Sequence, residues 1–227
     1  MSSPRSLAAL LGAALLLAPV AACSASAAAT RLPAAALDPK EALATETAVL
    51  SGGCFWGVQG VFEHVKGVRK VISGYAGGPK LLANYDLVST GTTGHAESVS
   101  ITFDPREISY GQILRIFFSV ATDPTQVNAQ FPDQGPQYRS EVFFVSEGQR
   151  LTAQHYIAQL NGAKAFHSPI ATRVDPLKGF YAAESHHQDY LIRNPDQPYI
   201  YTYDLPKIAA LKAEFPELYR AAPVRAG

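Results

Sequence analysis

Cysteine is almost missing from this chain: only Cys23 and Cys54 occur among 227 residues, beside a single tryptophan, Trp56, and a single methionine. The paired-cysteine spacings of zinc sites are therefore absent, as is an HExxH pattern. Neither sign of charge dominates, with 19 basic and 19 acidic residues. That balance removes the electrostatic reason to expect nucleic acid or another strongly charged partner. There is no internal repeat and no sign of a second module. A long membrane-spanning run is lacking too: the apolar stretch Leu7–Ala22 is short and broken by Gly12 and Pro19.

What that stretch does match is a secretory signal peptide, with one Arg, a short apolar run and small residues behind it. Its end, Val20-Ala21-Ala22-Cys23, resembles a bacterial lipobox, in which the cysteine is lipidated and becomes the first mature residue. Ordinary cleavage around residues 25–29, with Cys23 discarded, is the alternative. The expected organisation is a signal peptide over 1–22, an Ala-rich tether over 23–46 and one catalytic domain over 47–220. The protein is then exported to the cell envelope or periplasm, attached to a membrane through lipid on Cys23, and monomeric. On either cleavage route Cys54 is left without a partner, which suggests a reactive thiol or an intermolecular bond.

Periodicity gives the elements. Phe55, Val58, Val61, Phe62 and Val65 recur at helical spacing and stop at Gly67. "VRKVISGYAGG" reads as a strand entering a glycine turn, and "HAESVSITFDP" alternates over Val99, Ile101 and Phe103. "SYGQILRIFFSVA" is helical, with Ile113, Leu114, Phe117 and Val120 inward. "YRSEVFFVS" is a strand, "EGQRLTAQHYIAQLNG" a helix closed by Asn161-Gly162, and "IATRV" a further strand. A Pro- and Tyr-rich segment follows, with a last helix near 206–215. Strands and helices interleave without a strict βαβ beat. The expected class is α+β, a two-layer sandwich with a mixed, largely antiparallel sheet, helices packed on it and a long irregular C-terminal segment.

"LSGGCFWGVQG" places Cys54 at the start of the first helix. Unpaired N–H groups and the positive dipole end at that position favour a thiolate. Gly52 and Gly53 allow a sharp turn that leaves the sulfur open, and Phe55 and Trp56 can wall an apolar pocket. A buried structural cysteine with core aromatics beside it is the plainer alternative.

"GCFWG", "GHAE" at 94–97 and "DQGPQYRS" at 133–140, in that order, resemble the A-type peptide methionine sulfoxide reductases. Supporting stretches such as "TDPTQVNAQ" and "FYAAESHHQDYL" extend the resemblance from about Ala48 to Leu191. It implies reduction of the S epimer of methionine sulfoxide, free or in proteins, through a cysteine sulfenic acid and without a metal or other cofactor. Cys54 is the implied nucleophile and Glu97 the implied acid. Phe55 and Trp56 are the implied seat of the substrate methyl group. Tyr85, Tyr138 and Asp133 belong to the implied oxygen pocket, and His187 to its outer shell. Strand alternation independently sets Glu97 on the face of Val99, Ile101 and Phe103, where lost hydration raises a carboxyl pKa; a side chain that turns into solvent at the strand's start is the alternative.

The chain departs from the family pattern at Thr122, where His is usual, and at His186, where Tyr is usual. It also has no cysteine after Cys54, so recycling must use an external thiol such as a thioredoxin-like protein or dithiothreitol. An exported single-cysteine thiol peroxidase and a non-catalytic surface lipoprotein with a binding groove are the alternatives. A metal site built from His167, Glu184, His186 and His187 is a weaker one.

Overall fold

The computed structural model describes residues 31–39 and 43–226. Residues 1–30, with the proposed signal and Cys23, lie outside them.

Two strands form the centre, β1 (Glu46–Gly52) and β3 (Ala96–Phe103), paired antiparallel with Leu50 opposite Val99. Around them β2 (Val68–Ala76), β6 (Ser140–Phe144), β7 (Arg173–Pro176) and β8 (Phe180–Ala182) complete a six-stranded sheet, ordered β7-β6-β1-β3-β2-β8. Every pairing is antiparallel except β6 with β7. A two-stranded ribbon, β4 (Ala129–Gln130) and β5 (Asp133–Gln134), stands apart. The sheet is therefore mixed and largely antiparallel, as the interleaved pattern predicts.

Alternation decides which side chains meet the helices. Ala48 and Leu50 of β1, and Val99, Ile101 and Phe103 of β3, enter the main core, whereas Val49 joins Ala76 and Phe143 in a small cluster apart from it. Against the main face packs α1 (Phe55–Glu63), burying Phe55, Val58, Val61 and Phe62. It ends at Glu63, short of the stop expected at Gly67. A short α2 (Tyr85–Val88) is N-capped by the Asn84 side chain. Helix α3 (Tyr110–Ile116) opens on a capping box made by Ser109 and Gln112 and continues into a π-helical turn, Phe117–Ala121. Helix α4 (Glu147–Gly162) starts on a Ser146 cap, but its stop falls at Ala163, and Lys164 rather than Gly162 takes the left-handed conformation. The C-terminal segment winds through α5 (Tyr190–Arg193), a π-helical turn (Ile200–Asp204) and α6 (Leu205–Glu214).

Composition assigns residues 31–38 to a tether, yet they lie on the domain. Leu32 is buried. Its carbonyl accepts from Arg115 Nε at 2.6 Å, the Pro33 carbonyl from Tyr156 Oη at 2.7 Å and the Ala34 carbonyl from Gln159 Nε2 at 2.8 Å. Asp38 accepts from the Gly111 N–H at 2.9 Å and from Ser109 Oγ, adding to the cap of α3. Backbone carbonyls make most of this seam, so the side-chain composition carries no trace of it.

Candidate active site

Gly53 adopts φ +95°, and a Cβ there would stand 2.6 Å from Gln130 Cβ. Only glycine permits the close approach that turns β1 into α1 under the 123–130 loop. Cys54 follows as the N-cap residue, buried but for an 8% exposed edge. The adjoining Phe55 N–H, an unpaired donor of the helix start, is taken by Glu97 Oε2 at 3.0 Å. Nucleophile candidate and carboxyl are thus fixed to the same turn.

Cys54, Phe55, Trp56, Tyr85, Glu97, Asp133 and Tyr138, all singled out from the sequence, line one cavity of about 190 Å³, and Tyr199 completes it. Each is held from behind. The Trp56 indole N–H donates to His187 Nδ1 at 3.2 Å, and its ring stacks on Tyr190 at 3.9 Å. Buried His187 also lies against Phe55 and Tyr85, behind the pocket wall. Glu184 accepts from the Tyr85 N–H at 3.0 Å and from Tyr75 Oη at 2.8 Å, which fixes the entry to α2. Tyr138 sits on a 3₁₀ turn that Arg139 binds at the Pro136 carbonyl, while the same guanidinium holds the Gly94 and His95 carbonyls ahead of β3. The buried Glu141 carboxylate neutralises it at 2.5 Å. Tyr199 Oη donates to Asp133.

Burial governs the electrostatics. It lifts the Glu97 carboxyl to about 8, with Asp133 and Asp204 adding to the rise and the Phe55 N–H opposing it. Tyr85 and Tyr138 are likewise pushed upward by burial, with the Glu97 charge next in size for Tyr138, so both stay protonated donors. Asp133 is raised by burial against the Tyr199 hydrogen bond. The expectation for Cys54 is overturned. Burial, followed by the charges of Glu97 and Asp204, drives its thiol well above the ordinary value. The Trp56 N–H at the helix start does pull it down, but by less than the lost hydration pushes it up.

His186 is exposed, with its ring 4.2 Å from that of His187. Thr122 closes the π-helical turn after α3, and its buried Oγ1 has no hydrogen-bond partner. It lines a second, wider cavity of about 450 Å³ that also reaches Cys54 and shares Asp133 and Tyr199 with the first. Among the described residues no group of three or more His, Cys, Asp or Glu could hold a metal ion. Tyr199, Tyr190, Arg139 and buried Asp204 escape a sequence reading. Nothing marks the first two among 11 tyrosines.

The chemistry available is that of a sheltered thiol, a protonated carboxyl and two phenol donors around a small apolar-walled pocket. Comparison with known proteins leads the same way. The sequence profile of peptide methionine sulfoxide reductase matches residues 46–218. Peptide methionine sulfoxide reductase MsrA 2 of Mesorhizobium japonicum is 56% identical over 188 residues, covering 83% of this chain and 96% of that protein. The protein of the same name from Synechocystis sp. is 50% identical, with 78% of this chain and 83% of the relative covered. Among solved structures, methionine sulfoxide reductase A of Corynebacterium diphtheriae gives a TM-score of 0.57 at 31% identity, over 69% of this chain and 78% of that one. Reduced Mxr1 from Saccharomyces cerevisiae gives 0.61 at 29% identity, over 70% and 91%. With the profile spanning β1 to the end of the last helix, this chain belongs to the peptide methionine sulfoxide reductase family.

Proposed function

We propose that the chain reduces the S epimer of methionine sulfoxide, free or within proteins, with Cys54 as nucleophile and Glu97 as proton donor. The observation that carries this reading is the pairing of Cys54 with a buried carboxyl held at about 8 on the Phe55 N–H, in one 190 Å³ pocket. Phe55 and Trp56 offer the substrate methyl group an apolar seat. Tyr85 and Tyr138 can donate to the sulfoxide oxygen as negative charge gathers on it. The Cys54 sulfur attacks the sulfoxide sulfur while Glu97 protonates the oxygen, and the thiol proton restores Glu97. Oxygen passes to Cys54, the sulfide leaves, and the balance is thiol plus sulfoxide giving sulfenic acid plus thioether.

Purified protein with dithiothreitol should consume methionine S-sulfoxide and leave the R epimer. Cys54→Ser should be inactive. Turnover of the R epimer, or activity retained without Cys54, overturns the assignment. Family membership removes the ground for the peroxidase and non-catalytic alternatives.

Export and anchoring form the second part of the proposal. They are supported by the order basic start, apolar run, then Val20-Ala21-Ala22-Cys23. Stable attachment needs more than one acyl chain, as bacterial lipoproteins carry. Native protein should fractionate with membranes and Cys23→Ala should release it. A mature N-terminus mapped beyond Cys23 rules the anchor out.

A further inference from the structure

The Trp56 indole has one N–H, and it donates to His187 Nδ1 at 3.2 Å. That bond defines the state of the imidazole. Nδ1 must offer a lone pair, so the ring is neutral and its one proton sits on Nε2. Nε2 is buried without a hydrogen-bond partner among the described residues, and His187 is 3% exposed. We propose that His187 is a positioning residue for sulfoxide reduction: its neutral ring locks the Trp56 indole in place, and a second proton on it releases the seat of the substrate methyl group. The inference rests on the reductase reading above for what that seat holds, and adds to it a proton-controlled step in binding.

A second proton cannot enter without breaking the contact. An imidazolium donates from both nitrogens, so Nδ1–H and the indole N–H would point at each other. What then remains on the indole is the stack on Tyr190, with ring centroids 3.9 Å apart at 13°, and the edge of Tyr199 at 6.2 Å. Parallel stacking leaves a ring free to turn within its plane. A hydrogen bond weakens steeply off line, so the bond to His187 is what sets that rotation.

The surroundings decide when the proton arrives. Phe55 and Trp56 of α1 and the Tyr85 phenol of α2 face the ring without charge, at centroid distances of 5.2, 5.8 and 4.5 Å. On its own segment stand Glu184, which accepts from Tyr75 Oη and the Tyr85 N–H, and His186, whose ring lies 4.2 Å away. Arg193 of α5 binds the His186 carbonyl at 2.8 Å. Burial, followed by His186, holds the His187 ring below the ordinary imidazole value, with Glu184 opposing. His186 stands where the family usually has Tyr. This chain thus sets beside His187 a second imidazole whose positive charge, once taken up, resists protonation of the first.

Trp56 is the only tryptophan, so its emission reports on this contact. From about pH 7 to about pH 4 the parent should show an emission change with its midpoint below 6.5, the ordinary imidazole value. Over the same range the sulfoxide concentration that half-saturates the single-turnover rate should rise about tenfold, the size of one lost hydrogen bond. N-acetyl methionine S-sulfoxide amide is the probe, since it does not itself titrate there. His187→Leu should show the raised half-saturation at every pH, with the saturated rate changed far less. His187→Asn, whose side-chain oxygen can take the indole N–H without titrating, should recover most of that loss and flatten both profiles. His186→Tyr should move the emission midpoint upward. Emission without a transition in the parent overturns the proposal, as does a transition that His187→Asn leaves unchanged. A loss in His187→Leu confined to the saturated rate overturns it as well, and where that variant does not fold, the parent and His187→Asn decide. A midpoint unmoved in His186→Tyr overturns the part given to His186. The emission titration needs no turnover, so a parent that forms no thioether at any pH defeats the reductase reading instead.

Discussion

Replacing Glu97 with glutamine should make the protein slower and, at neutral pH, more stable. The carboxyl is 3% exposed and held at about 8, against 4.5 for the free side chain. The folded state therefore binds this proton more tightly than the unfolded chain does. The sign follows: the stability it contributes is complete below pH 4.5 and is lost as pH rises toward 8. From 4.5 to 7 the loss accumulates over about 2.5 pH units at roughly 1.4 kcal/mol each, or about 3 kcal/mol. Glutamine does not titrate, keeps the shape and can still accept from the Phe55 N–H. At pH 7 Glu97→Gln should melt about 6–12 °C above the parent, at roughly 2–4 °C per kcal/mol for a chain of this size. The gap should close near pH 4.5. In single-turnover kinetics the same variant should reduce the sulfoxide roughly 10²–10⁴-fold more slowly at pH 7. The parent rate should fall above pH 8 while the variant's limb is flat. Melting curves that stay parallel from pH 4.5 to 8 would refute the buried protonated carboxyl. An unchanged rate would refute its role as acid.

Other changes probe the surrounding frame. Without reductant, the enzyme should yield about one equivalent of thioether per molecule and stop, as one redox thiol requires; a second equivalent by quantitative chromatography contradicts this. Gly57→Ala would place a methyl 2.6 Å from Asp204 Cγ between α1 and the C-terminal turn. Urea unfolding should register a loss of about 1–3 kcal/mol, and a neutral result would mean that the turn gives way freely. Tyr199→Phe strips half-buried Asp133 of its donor and should lower kcat/KM about tenfold, with kcat/KM unchanged as the adverse outcome.

Particular residues explain how far the sequence could be read. Helix α4 is legible in the sequence as a run that ends at Asn161-Gly162, and its range, Glu147–Gly162, matches that reading. β1 carries no such signal: five consecutive residues, Ala48–Gly52, are buried, because Ala48 and Leu50 face the main core while Val49 on the other face joins a second cluster. Cys54 stands out in the sequence itself, as an unpartnered thiol between glycines and aromatics at a helix start, whereas Tyr85 and Tyr138 are distinguished among 11 tyrosines only by the family resemblance. Tyr199 and Arg139 act through folding that brings distant segments together, and no local pattern announces that. The thiol of Cys54 lies above rather than below its ordinary value: a helix start is visible in sequence whereas the depth of its burial is not.

The seating of residues 31–38 also bears on the order of folding. Leu32 binds α3, Pro33 and Ala34 bind α4, and Arg31 lies over Phe215 and pairs with Glu217, 186 positions away. The first described segment to leave the ribosome, or to cross a membrane N-terminus first, has no complete binding surface until the last helix has been delivered. Contacts so distant along the chain are slow to close. Amide protons at Ala36 and Gly111, which donate to Gln159 and Asp38, should gain protection late in refolding, after β1 and β3 have paired. A chain trimmed to begin at Glu46 should fold sooner to a state with faster unfolding.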